Sequence, residues 1–422
     1  MSEASNNIEV PGKLWTRDFT ILMAGSVVSL LGNSLSGFAI SLMVLDYTGS
    51  PFYFSIFVVS YTLPQIIMPI FSGAVLDRFS RRKTIYTLDF ISAAMYFGLS
   101  LLLGSGWFNF WLFASLCFFG GLINSIYMVA YQSFFPMLVS AGNYHKAYSI
   151  SSFLETLTAL ATPAAAFLYN LIGISRLLGI NAVFFLIAAV FETQIKAEEK
   201  YIELQKAGMK EGQRYGLQFL ADIKEGFRYL VSEKALLFVA IYFTFSSFSM
   251  GAEQVIVLPY FKLNYGNGEY LFMLVMAASI IGRSLGSLFH YKRRMPVSKK
   301  YIIAYGVYVI IAVAGGIYLY LPFWGMIFTM FVTGGLGITS YTIRISATQA
   351  YVPDERKGRF NGAFNMLNTL GALAGEMLAG ALSTLIEPRA ILALFYGINL
   401  AAVFLLIGRN RRYIEPLYNT QK

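Results

Sequence analysis

Asp89, Glu155, Glu253, Arg283, Arg344 and Glu376 are charged residues that fall inside long apolar stretches of the sequence. A charge at a bilayer centre costs about 2.5–3.5 kcal/mol on insertion scales, so such residues are first candidates for ion pairing, proton transfer or ligand binding. Glu155 and Arg283 lie several turns from the ends of their stretches. They could form a charge pair or a proton site, or each could find a hydroxyl or carbonyl partner nearby. Asp89 is about 8 Å into its helix at 1.5 Å per residue, close enough to the bases preceding it for an ion pair to compete with a proton-carrying role. Arg344 is near a helix end, where its long stem could snorkel. Glu253 and Glu376 occupy outer parts of their stretches, where a wet vestibule or lipid headgroups could solvate them. No covalent chemistry accompanies these charges. One cysteine, Cys117, excludes an internal disulfide, and two histidines, His145 and His290, make no metal-ligand cluster. No phosphate loop and no set of nucleophile, base and acid occurs. The chain is read as a non-enzyme without cofactor or metal.

The elements that position these residues are helices in a membrane. Of the 422 residues, 57% are hydrophobic and 13% charged, far too apolar for a soluble chain of this length. A spanning helix needs about 20 predominantly apolar residues, and twelve stretches qualify: 19–45, 53–76, 84–103, 108–137, 147–173, 177–191, 235–261, 270–291, 301–321, 323–347, 360–385 and 390–408. The sixth is short, and its start is expected before Arg176. The polar start, with Glu3, Glu9, Lys13 and Arg17, is neither signal nor transit peptide, so both termini are expected in the cytoplasm. Of the 32 Lys and Arg, only Arg176, Lys262 and Arg389 then fall in outer loops, and Arg283 and Arg344 inside spans. The net charge of +10 sets topology and does not call for nucleic acid. A polar linker, 192–234, separates an N-terminal half, 1–191, from a C-terminal half, 235–422. Within it Leu217, Leu220, Ile223, Phe227 and Leu230 recur every three or four positions, as in a helix lying on a membrane surface or on a partner.

The short hairpin Gly73-Ala74-Val75-Leu76-Asp77-Arg78-Phe79-Ser80-Arg81-Arg82-Lys83 joins the second and third spans. A glycine, an acid four residues on and then a basic cluster closely resemble the loop between helices 2 and 3 of the major facilitator superfamily, with Ser80 where that family usually has a second glycine. The two halves also repeat. Gly120-Gly121-Leu122 matches Gly334-Gly335-Leu336, Gln132 and Pro136 match Gln349 and Pro353, and Thr156-Leu157 with Ala159-Leu160-Ala161 matches Thr369-Leu370 with Ala372-Leu373-Ala374, at a shift of about 215 residues. Gly73 and its bases match Gly286 with Lys292, Arg293 and Arg294 in the same way. Parallel repeats of six helices are the design of major facilitator transporters, with a substrate site expected between the halves. Within the superfamily, Asp222 to Leu230, Asp46-Tyr47-Thr48-Gly49-Ser50 and Pro353-Asp354-Glu355 before Gly358-Arg359 resemble the branch of macrolide and enterobactin exporters, which are drug:proton antiporters.

The resemblance implies an all-α protein of twelve transmembrane helices in two pseudo-repeats, a multi-pass protein of the plasma (inner) membrane moving a small molecule by alternating access. It implies that Gly73, Asp77, Arg78, Arg81, Arg82 and Lys83 form a cytoplasmic gate. Glu155, Arg283, Glu253, Glu376 and Asp89 become candidates for proton coupling, and Asn33, Ser34, Asn124, Tyr127, Gln254, Ser340, Tyr341 and Arg344 for the substrate cavity. Thr162-Pro163-Ala164-Ala165-Ala166 stands where drug exporters have a Gly-Pro-rich antiporter motif, here without the glycines. Aromatic surface with few fixed charges suits an amphiphilic substrate, drug or macrolide-like, exported against protons. A siderophore, lysolipid or nutrient transporter of the same fold, and a non-transporting membrane receptor, are the alternatives; no oligomer is implied.

Overall fold

A continuous apolar run in lipid has one local solution, the α-helix, because it satisfies every backbone N–H and C=O within the segment. The computed structural model describes residues 13–76, 79–140, 143–197, 199, 215–292 and 295–419, and no strand occurs among them. The helices are α1 (Arg17–Thr48), α2 (Pro51–Leu76), α3 (Arg81–Gly104) and α4 (Phe110–Leu138). The run Tyr144–Thr193 is broken at Gly173 (φ 78°, ψ 162°), which separates α5 (144–172) from α6 (174–193). A left-handed φ at this sharp turn suits glycine, and it places the start of α6 before Arg176, as the sequence requires. There follow α7 (Tyr215–Ser232), α8 (Lys234–Asn264), α9 (Gly268–Lys292), α10 (Lys300–Ile317), α11 (Phe323–Tyr351), α12 (Asp354–Leu382), α13 (Pro388–Ala402), extended to Gly408 by a π-helical turn, and α14 (Arg411–Tyr418).

Apart from α7 and α14, these helices are the twelve expected spans. Among the described residues ten segments are long and apolar enough to cross a membrane. The first part of α5 has few described side chains, and α12 dilutes its apolar residues with Asn361, Asn365, Asn368 and Glu376. Local signals set the ends. Ser80 caps α3 by accepting the Lys83 N–H at 3.1 Å, and Asn109 caps α4 by accepting that of Leu112 at 3.1 Å. The amphipathic segment 217–230 lies inside α7, helical as its periodicity requires. It is docked on α12: the Arg359 guanidinium pairs with Glu225 at 2.7 Å, and a methyl group on Gly226 would stand 2.3 Å from the Arg359 carbonyl.

The chain forms two compact units: Met1–Met43 with Ile67–Gln213, and Val44–Ile66 with Arg214–Lys422. In the first, α1 meets α6 where Asn181 donates to the Ser36 hydroxyl at 2.8 Å, and Gly32 leaves room for the Asn181 amide. Its core gathers Phe19, Leu22, Ile85, Phe134 and Ala147. In the second, small residues let helices touch at their backbones. A Cβ on Gly282 would lie 1.9 Å from the Phe331 carbonyl and one on Gly334 2.2 Å from that of Ser279, which joins α9 to α11. Gly251 against Ala372, Gly371 against Thr244 and Gly375 against Phe248 do the same for α8 and α12. With no water to expel between helices in lipid, close van der Waals approach is the main attraction, and only small residues permit it. The first turns of α2 belong to this second unit through Ser55, which fills the notch at Gly380, and Asp46 at the end of α1 pairs with Lys262 at 2.9 Å.

Gly375→Val forces α8 from α12 and should cost about 1–3 kcal/mol as an overpacking change. Gly306→Ala, with open space around it, should leave stability unchanged. Apparent melting temperatures in detergent report the difference; equal values for the two variants would contradict the backbone-contact account.

Candidate functional site

The second unit lines an open cavity of about 570 Å³ among α8 to α13. Apolar rings and methionines make part of its wall: Phe243, Met250, Phe272 and Met276 from α8 and α9, Met330 from α11. Polar groups share this surface: the hydroxyls of Ser246, Ser247, Ser279, Thr329, Thr333 and Ser340, and a few amide, phenol and charged side chains, a mixture that can both cover and orient a small molecule. Glu253 and Gln254 come from α8, Arg283 from α9, Tyr341 and Arg344 from α11, and Asn368 from α12. The glycine contacts position them, since Gly282 and Gly334 hold α9 and α11 at backbone distance beside Arg283 and below Arg344.

Each charge has a distinct setting. The Tyr396 hydroxyl of α13 donates to the Glu253 carboxylate, with the Tyr318 hydroxyl close by. The Arg344 guanidinium lies over three rings, with its carbon 4.7 Å from the centre of Phe364, 5.2 Å from Phe243 and 5.4 Å from Tyr341. A planar cation between rings is held by the ring quadrupoles, so Arg344 is caged in the cavity wall. Arg283, Gln254 and Tyr341 present exposed side chains to the cavity, and Ser340 is buried beside them. Glu376 is elsewhere on α12, buried to 2% exposure, with its Oε2 lacking a hydrogen-bond partner among the described residues.

The first unit arranges its candidates differently. Asn33 and Asn124 are half-buried on α1 and α4. Tyr127 stacks on Tyr131 with ring centres 6.0 Å apart, and its hydroxyl is buried in the unit, within reach of the Ser29 hydroxyl. Asp89 turns away from the basic loop: the group in hydrogen-bonding reach is the carboxyl of Glu192 on α6. The basic loop anchors elsewhere. Arg81 donates to the Ser133 carbonyl at 3.2 Å and Arg82 to the Ile195 carbonyl, and the Arg82 N–H meets Glu199 at 3.2 Å. Lys83 is exposed, and Gly73 lies in the last turn of α2. Asp77 and Arg78, and the side chain of Glu155, lie outside the described residues, so the expected Asp77 contact and Glu155–Arg283 pair do too.

Several site residues were missed in the sequence. Tyr396 looks like a lipid-facing aromatic until its hydroxyl meets Glu253, and Tyr318 lines the same corner with its hydroxyl buried and unpartnered among the described residues. Asn368 carried a legible signal, because it precedes Thr369-Leu370 as Glu155 precedes Thr156-Leu157; the repeat makes them mates. Glu192 was read as the start of the linker, but α6 continues through Thr193 and buries it completely.

The architecture has clear relatives. The family model of the Major Facilitator Superfamily matches residues 22–376. The chain belongs to that superfamily. It is 25% identical over 258 residues to the uncharacterized MFS-type transporter YkuC of Bacillus subtilis, a match covering 59% of this chain and 57% of that protein. It is 23% identical to macrolide efflux protein A of Streptococcus pyogenes over 69% of this chain and 72% of that one, and 25% identical to multidrug efflux pump Tap of Mycolicibacterium fortuitum over 92% of each. The crystal structure of a bacterial homologue of the iron transporter ferroportin superposes with a TM-score of 0.67 at 13% identity, covering 97% of this chain and all of that one. The protein is therefore a multi-pass membrane protein with the superfamily's fold of two six-helix repeats, and the superfamily is one of transporters.

Tyr396→Phe removes the donor to Glu253 and leaves a carboxylate underpaired, which should cost about 1–3 kcal/mol. In a Glu253→Leu background, where no acceptor remains, loss of the Tyr396 hydroxyl should be nearly free. A double-mutant cycle on thermal stability reads this coupling; additive losses would show that the hydroxyl and carboxylate do not act together.

Proposed function

We propose that this superfamily member is a secondary active exporter of amphiphilic small molecules, drug or macrolide-like, working by alternating access with protons as the coupling ion. The observation that carries the reading is the cavity wall of the second unit, where Phe243, Met250, Phe272, Met276 and Met330 alternate with serine and threonine hydroxyls and Glu253, Arg283 and Arg344 are the charged members. Such a wall gives a greasy ligand area and leaves one or two fixed groups to orient it. Methionine and aromatic side chains also repack readily around ligands of different outline. The efflux activities in the names of two relatives support the direction of transport.

Roles follow within this reading. Gln254, Tyr341 and Arg344 contact substrate from the second unit, and Asn33, Asn124 and Tyr127 are the counterparts in the first. Glu155, as the repeat mate of cavity-lining Asn368, is a proton-coupling candidate with Arg283, Glu253, Glu376 and Asp89. Gly73, Asp77, Arg78, Arg81, Arg82 and Lys83 form a cytoplasmic gate. The chain divides functionally into halves 1–191 and 235–422 joined by the linker 192–234, and both termini face the cytoplasm of a cell whose plasma (inner) membrane holds the protein.

Two experiments test the reading. Reconstituted vesicles with an imposed pH gradient should accumulate a macrolide or a fluorescent lipophilic dye, and Arg344→Ala should raise the apparent KM because the cage collapses. Failure to move any member of a cationic, neutral and anionic amphiphile panel would remove the exporter assignment. For orientation, single cysteines at Gly208 and Asn267 in a Cys117→Ser background should react with an impermeant thiol reagent from opposite sides. Labelling of both from one side would overturn the topology.

A further inference from the structure

Away from the cavity, α3 and α6 bury two acids against each other. Asp89 is 1% exposed and Glu192 is fully buried, and their carboxyl groups are in hydrogen-bonding reach. Otherwise, Asp89 Oδ2 and both Glu192 carboxyl oxygens find no hydrogen-bond partner among the described residues. The surrounding elements offer no described counter-charge. From α4 comes the buried Tyr127 hydroxyl, and from α1 the Ser29 hydroxyl and Gly25, where a Cβ would stand 3.1 Å from Glu192 Oε1. The nearby charges are engaged elsewhere: Arg82 with the Ile195 carbonyl, Glu199 with the Arg82 N–H, and Asp18 on α1 with the Lys196 N–H at 3.1 Å. Lys83 and Lys196 are exposed.

An ionised carboxylate only accepts hydrogen bonds, so two carboxyl groups bond to each other only when one carries a proton. We infer that Asp89 and Glu192 form a proton-binding site of this protein, one hydrogen shared between an oxygen of each, and that α3 and α6 stay together at this level while it is bound. Release gives a free proton and two adjacent carboxylates. Like charges at contact in a water-poor interior repel strongly, so the empty site demands water entry or separation of the two helices.

The same helix pair carries a fixed point toward its other end. The Ser100 hydroxyl donates to the Ser175 carbonyl at 2.7 Å and the Ser175 hydroxyl to the Ser100 carbonyl at 2.8 Å. Gly104 and Gly179 keep backbones close there, with added Cβ atoms 3.0 and 3.1 Å from the serine hydroxyls. Parting at the acids would therefore pivot about the serines. A proton that favours one arrangement over the other is what coupling needs, because a ligand shifts an equilibrium only through its differential affinity for the two states. This use of the site rests on the transport reading; occupancy of the site by a proton does not.

Infrared spectroscopy of the purified protein, with no substrate added, decides occupancy. The wild type at neutral pH should show a deuterium-sensitive carboxylic-acid carbonyl band that the double variant Asp89→Asn/Glu192→Gln lacks, so that it stands out in the wild-type-minus-variant difference spectrum. Glu253→Gln/Glu376→Gln, which neutralises two further acids set among the described helices, should retain it. Absence of the band from wild type, or its loss on adding sodium or calcium at constant pH, would overturn the proposal, the latter in favour of a metal cation. Vesicles then test coupling: Glu192→Gln and Asp89→Asn should each lose accumulation driven by a pH gradient, and Asp89→Glu should restore part of it. Wild-type accumulation by both neutral variants would refute coupling here, whereas a wild type that accumulates nothing would refute the exporter reading and leave the infrared result standing.

Discussion

The hydrocarbon interior supplies no hydrogen bonds, and every other feature of this protein answers to that constraint. It makes each apolar run a helix, leaves helix pairing to close packing, and makes any polar group inside the bundle expensive unless partnered. The glycines of α9 and α11, and those of α8 and α12, are the response to the second demand. They bring backbones to contact and hold the walls of the cavity in a fixed relation. Glu253 with Tyr396, Arg344 with its three rings and Asp89 with Glu192 are three responses to the third.

Those three solutions differ in what they permit. A carboxylate held by a phenol hydroxyl keeps its place while retaining hydrogen-bonding capacity toward a ligand. A guanidinium over rings is held by diffuse attraction, so it tolerates small displacements as a ligand enters. A carboxyl pair sharing one hydrogen is different again, because its integrity depends on occupancy. In the readings proposed above, the second unit's cavity serves the ligand and the α3–α6 contact serves a proton.

Much of this was legible in the sequence because lipid imposes simple rules. The twelve spans follow from apolar length, the helical form of α7 from its three-to-four spacing, and the common design of the halves from Gly120-Gly121 against Gly334-Gly335 and Thr156 against Thr369. The cavity positions of Gln254, Tyr341 and Arg344 were expected too. What could not be read depends on which side chains face each other. Asp89 was placed with the bases that precede it because they are near in sequence, but the helix turns it toward α6. Glu192 was assigned to the linker because polarity begins there, although helix geometry continues two residues further. Tyr396 carried no signal, since a tyrosine facing lipid and one gripping a carboxylate look alike in a sequence. The short α14 was hidden by its charges and by Pro416.

The central claim is that the aromatic cavity of the second unit receives the exported molecule. A single cysteine at Gln254, in a Cys117→Ser background that still transports, puts a reactive thiol on that wall. Saturating amounts of a transported amphiphile should slow its alkylation in proportion to occupancy, with half-protection at the concentration that half-saturates transport. Alkylation that proceeds at an unchanged rate while transport is saturated would contradict the account and place the substrate elsewhere.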